Sequence, residues 1–110
     1  MLKINLEYNK GILFVRVCGN LNRRTSYKLS NYLVPVIMKH GIKYLVYNLY
    51  ELDKIDEIGL KSLMYGKLAI NANKGEVYMC EVPTNLKEKL KTTKIKKAKD
   101  ELKAIELVGI

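Results

Sequence analysis

The chain has 110 residues, 48% of them hydrophobic and 28% charged. That balance excludes a disordered polar chain, and no apolar run approaches the ~20 residues of a membrane span, so one globular domain over residues 1–110 is expected. The net charge of +9 raises nucleic acid or an anionic membrane as partners, but only Arg16, Arg23 and Arg24 are arginines, and specific phosphate and base recognition favours arginine's planar fork.

Leu2, Ile4, Leu6 and Tyr8 alternate with Lys3, Asn5 and Glu7, the period-two pattern of a strand with one buried face. The start lacks the continuous apolar core of a secretory signal, so a cytoplasmic setting is expected. Asn9-Lys10-Gly11 is a turn, and Ile12 to Cys18 is a second strand that closes an antiparallel hairpin. Asn22 is the expected N-cap of a helix reaching about Lys39, with Leu29, Leu33, Val36, Ile37 and His40 on one face, a kink at Pro35 and a stop at Gly41.

Lys43 to Leu49 reads as a third strand and Glu51 to Asp56 as a loop. A second helix is expected from about Glu57 to Asn73, with Leu60, Leu63, Met64, Leu68 and Ala72 as its apolar stripe. Glu76 to Val82 is a fourth strand, and Pro83-Thr84-Asn85 opens a short helix to about Lys91. Ile95 touches a short edge strand, and a last helix covers about Ala98 to Leu107 with Ala98, Leu102 and Ile105 turned inward. The order β-β-α-β-α-β-α-(β)-α requires right-handed parallel crossovers after the hairpin. The expected fold class is α/β: a small mixed sheet of about four to five strands with helices packed against it.

Catalytic signatures are missing. There is no GxSxG, Walker-type GKS or GKT, GxGxxG, HExxH or CxxC, so the chain is not expected to be an enzyme. Cys18 and Cys80 lie in apolar runs and read as small buried hydrophobes. His40 has no Cys or His at metal-ligand spacing, so neither a metal nor a cofactor is expected. The lysines from Lys87 to Lys103 offer a basic strip for nucleic acid or an acidic protein surface. Glu88, Asp100 and Glu101 interrupt it, and it lacks the interleaved aromatics of single-strand binders.

Two stretches carry more information. Leu45 to Leu49 is followed by Ile55-Asp56-Glu57-Ile58-Gly59-Leu60-Lys61-Ser62-Leu63, and upstream lies Gly19-Asn20-Leu21-Asn22-Arg23-Arg24-Thr25. Together, over about residues 2 to 107, they resemble the STAS family, the domain of sulfate transporters and bacterial anti-sigma factor antagonists. The family pattern is Gly-x-Leu-Asp-x-x-Thr, then a strand ending in Asp-Leu, then Asp-Ser-Ser-Gly-Leu at a helix start. The resemblance implies a docking module of transcription control whose partner is a kinase-like anti-sigma factor. It also implies a contact surface of Asn20, Asn22, Arg23, Thr25, Asp56, Glu57, Ile58, Gly59 and Ser62.

In the family, the first serine of that second motif accepts a phosphate that breaks docking. Glu57 stands there in this chain and Ile58 replaces the second serine, so the phosphoacceptor is absent. Glu57 then either leaves the module binding constitutively, mimics the non-binding phosphorylated form, or marks a scaffold with another partner. The residues themselves say that Asp56 caps the helix and that acids suit its positive end. Gly59 in the first turn reads as a gap left for a partner's backbone, because helix propensity does not favour it. The reading from a different class is a nucleic-acid-binding protein using the lysine-rich C-terminal segment.

Overall fold

A computed structural model describes residues 1–109. The hairpin forms as expected: β1 (Leu2–Asn9) pairs antiparallel with β2 (Ile12–Leu21), with Asn9 opposite Ile12. α1 (Ser26–His40) leads to β3 (Tyr44–Asn48), β4 (Leu52–Ile55) and α2 (Glu57–Ala72). β5 (Glu76–Cys80), the short α3 (Lys87–Leu90), β6 (Lys96–Ala98) and α4 (Glu101–Val108) follow. The sheet runs β1-β2-β3-β5-β6, parallel from β2 onward, and β4 pairs with the far end of β2.

Strand alternation divides the apolar residues between the two sheet faces. Leu13, Val15, Val17, Leu45, Tyr47, Val77 and Met79 form one core with Leu29, Leu33 and Ile37 of α1 and Leu63 and Ile70 of α2. Ile12, Phe14, Val46, Tyr78 and Cys80 form a second core under Ala104 of α4. The sheet is therefore covered on both faces, as parallel sheets require. Where α1 and α2 end, Asn73 donates its side-chain amide to the carbonyls of Ile37 and Ile42, at 3.2 and 2.9 Å. The Ile37 carbonyl also accepts the Ile42 N–H at 3.1 Å, so the Asn73 amide ties the end of α2 to the turn that closes α1.

Several sequence expectations are corrected. Residues 52–55, read as loop, form β4, because Leu52 and Ile55 are buried and the backbone pairs with Gly19–Leu21. The last helix begins at Glu101, and Ala98 belongs to β6. Its inward residue is Ala104; Leu102 is 74% and Ile105 37% exposed. A small side chain is what lets α4 lie close on Phe14 and Tyr78. Strand β5 stops at Cys80, where Glu81 takes a left-handed φ of 52°. Cys80 is buried as expected and burial pushes its thiol up to about 12, but Cys18 is only half-buried. The helical assignment of α1 continues through Pro35, which is exposed.

A polar clamp orients α4. Arg16 donates from Nε and Nη2 to the two Glu101 carboxylate oxygens at 2.9 and 2.8 Å, and from Nη1 to Glu7 at 2.8 Å. Asn48 donates Nδ2 to Glu101 at 2.7 Å and to Glu81 at 3.2 Å. The Arg16 hydrogen bond holds the Glu101 carboxyl below its ordinary range, with Asn48 adding to the effect. A depressed carboxyl stabilises the fold above its unfolded-state value of about 4.3, and that contribution is lost as pH falls through the lower folded-state value. Urea denaturation across this acid window is expected to show α4 loosening in wild type. In Glu101→Gln that component of the acid sensitivity should be missing.

Asn48 sits where the family pattern has Asp. Asn48→Asp would place a third carboxylate against Glu81 and Glu101 and remove both donated bonds. It is expected to cost about 1–3 kcal/mol at neutral pH by chemical denaturation. An unchanged midpoint would show that α4 docks without the clamp.

Candidate protein-docking site

The two motif stretches meet at one end of the sheet, where β2 runs into the 22–25 loop and β4 into α2. Asp56 joins them. Its Oδ1 accepts the Gly59 N–H at 2.8 Å, capping α2, and its Oδ2 accepts the Arg23 N–H at 3.0 Å. Its own N–H donates to the Leu21 carbonyl at 3.3 Å. The Gly59 N–H, with lesser help from the Arg23 N–H, lowers the Asp56 pKa, so the bridge is a carboxylate at neutral pH.

The loop is folded on itself. Thr25 donates Oγ1 to the Asn20 carbonyl at 2.7 Å and accepts the Asn22 N–H at 3.0 Å. Asn22 Oδ1 accepts the Arg24 N–H at 2.9 Å. Asn22 was expected to cap α1, but its side chain instead builds this turn, and α1 starts at Ser26 behind Thr25. A side chain bonded two residues onward closes a turn and competes with capping. Asn20 is half-buried, and its Oδ1 has no partner among the described residues.

The expected contact residues separate into outward and inward sets. Arg23, Glu57 and Ile58 face solvent, Ile58 with 40% of its surface exposed. Asn20, Asn22, Thr25 and Asp56 are intermediate in burial. Gly59 and Ser62 are buried, which corrects their placement on an outward surface. Ser62 is 2% exposed and donates Oγ to the Gly59 carbonyl at 2.6 Å. The gap left by Gly59 is filled from within: a Cβ there would run into the Leu21 carbonyl and lie 2.9 Å from Ile55 Cγ1. Glycine at this position lets α2 sit directly on the end of β2.

Lys89, read in the sequence as part of the basic strip, instead reaches this site, donating Nζ to the Ile55 carbonyl at 3.4 Å. Asn85, Leu86 and Lys89 border a cleft of about 480 Å³ that also touches Asn22, Asp53 and Asp56. Nothing in the local sequence around Lys89 places it there; only the course of the chain after β5 does. The remaining lysines of the tail are dispersed over α3, β6, α4 and the segments between them. Lys91, Lys96 and Lys103 pair with Glu88, Glu76 and Glu106 at 2.8–3.3 Å. Among the described residues, no helix is long and apolar enough to cross a membrane.

The STAS domain family model matches residues 3–103. An anti-sigma F factor antagonist of Paenibacillus polymyxa is 30% identical over 81 residues, which span 74% of this chain and 69% of that protein. The unphosphorylated anti-sigma factor antagonist SpoIIAA has the same fold, with a TM-score of 0.81 at 16% identity over 98% of this chain and all of that one. A Thermotoga maritima protein gives a TM-score of 0.87 at 14% identity, covering 96% of this chain and 93% of its own. The chain belongs to the STAS domain family. Within that family it is of the anti-sigma factor antagonist type.

Proposed function

We propose that the chain is a regulatory docking module of transcription control that binds a kinase-like anti-sigma factor in the cytoplasm and catalyses no reaction itself. The observation that carries this reading is the Asp56 bridge. One carboxylate holds the 22–25 loop and the start of α2 as a single surface, with Arg23, Glu57 and Ile58 outward. Ile58 supplies an apolar contact amid charge, the kind of central anchor around which interfaces are built. Asn20, Asn22, Thr25 and Asp56 hold its shape, while Gly59 and Ser62 seat the helix from behind.

Glu57 makes the docking constitutive. A phosphoserine at a helix start carries about −1.5 to −2 charges and three strong acceptor oxygens. Glutamate carries one charge on two oxygens, and it suits the helix dipole without that excess. Glu57 is exposed and makes no side-chain hydrogen bond among the described residues, leaving Asp56 alone as the cap.

Affinity capture from a native lysate tests the reading. Tagged wild type is expected to recover a kinase-like anti-sigma factor, and Ile58→Asp to lose it while keeping its melting temperature. Recovery of a nucleic-acid-rich background by both, abolished when Lys94, Lys96 and Lys97 are neutralised, would favour the basic-tail alternative. Such binding would also fall steeply with salt as counterions are released.

A further inference from the structure

The outward side of α1 and α2 carries more exposed apolar surface than their packing on the sheet needs. Met38, Tyr65 and Leu68 are 50%, 51% and 60% exposed. They lie with Val34 and Ala69 along a shallow groove of about 540 Å³ between the helices. Single exposed apolar residues are ordinary on a protein surface, but here they converge from two helices on one concavity.

The surrounding charge is one-sided. α1 carries Lys28 and Lys39 and no carboxylate, and α2 carries Lys61 and Lys67 with Glu57 as its only acid, at its first position. Lys67 turns away, donating to the Thr93 and Lys94 carbonyls at 3.2 and 3.3 Å. Lys61 is four residues before Tyr65 and seven before Leu68, so it shares their helix face and forms a positive rim.

We propose that this groove docks an acidic amphipathic helix of a partner protein. An apolar trough between parallel ridges receives a helix's apolar stripe, and the basic rim at Lys61 selects an acidic flank. A second copy of this chain would bring lysine against lysine. An anionic bilayer shares the charge preference but is entered by a protruding apolar edge, and here the apolar atoms line a concavity. Ile58 and the 22–25 loop are not among the lining residues, so the proposal stands apart from the docking surface at the start of α2.

The test uses a fluorescent, stapled helical peptide of about 15 residues, close to the length of α1, with leucine on one stripe and glutamate elsewhere. Its counterpart replaces glutamate with lysine. Anisotropy titration of the full chain is expected to show saturable binding of the acidic peptide only. Leu68→Glu and Tyr65→Glu should weaken it roughly tenfold or more. Lys61→Glu, at an exposed position, should weaken it several-fold with no change in melting, and Ile58→Asp should leave it intact. The proposal is overturned by no saturable binding of the acidic peptide, by equal binding of the basic one, or by wild-type affinity in Leu68→Glu and Lys61→Glu. Preferential partition of the chain onto phosphatidylglycerol vesicles, competing with the peptide, would also overturn it by making the face a lipid surface.

Discussion

Gly59→Ala is expected to destabilise the fold by about 2–3 kcal/mol, although alanine is the better helix former by roughly 1 kcal/mol. The added methyl would meet backbone, the Leu21 carbonyl carbon at 2.8 Å, as well as Ile55 Cγ1 at 2.9 Å. Neither the end of β2 nor the buried Ile55 can swing aside as a surface side chain would. To make room, α2 must lift from β2, and its lifting stretches the bonds from Asp56 to Gly59 and Arg23. Urea denaturation should show a lower midpoint at unchanged slope. Hydrogen exchange at the Arg23 amide should accelerate. A variant as stable as wild type would mean that α2 does not rest on the end of β2, and the single-surface account of the site would fail with it.

The second large effect is a gain. Wild type, incubated with the kinase-like anti-sigma factor proposed as its partner and ATP, is expected to take up no phosphate at the start of α2. Glu57→Ser should take up about one phosphate per chain. The added charge, about −1.5 to −2, would face the partner beside Ile58, where only part of it was present before, and docking should be lost as phosphorylation proceeds. Intact-mass spectrometry with peptide mapping reads both results. Phosphate on wild type at another serine or threonine, or inertness of Glu57→Ser with a kinase active on other antagonists, would contradict the idea that Glu57 removed the switch.

Most of the architecture was legible because it rests on patterns that physics enforces locally. The period-two alternation of β1, the apolar run of β2 and the left-handed stop at Gly41 each follow from a few adjacent residues. β4 escaped because four residues with Asp53 and Lys54 outward look like a loop, and only pairing with the distant end of β2 makes them a strand. The misread face of α4 has a similar origin. Leucine is usually the inward residue of a short helix, but the Arg16–Glu101 clamp fixes the rotation and brings Ala104 to the sheet.

At the site, the sequence located both stretches but misjudged the side that Gly59 and Ser62 face. The smallness of Gly59 was read as room for a partner, whereas it accommodates the chain's own Leu21 and Ile55, and the Ser62 hydroxyl is spent on the Gly59 carbonyl. The role of Asp56 as a cap was readable from its position. Its second oxygen, bonded across 33 residues to Arg23, was not, because no local spacing encodes that contact.

The most direct test of constitutive docking is a calorimetric titration of the purified kinase-like anti-sigma factor into wild type, Ile58→Asp and unphosphorylated Glu57→Ser. Wild type and Glu57→Ser are expected to bind with similar affinity, and Ile58→Asp to show no measurable heat of binding. Binding by Glu57→Ser alone, with wild type silent, would contradict the account and show that Glu57 holds the module in the released state.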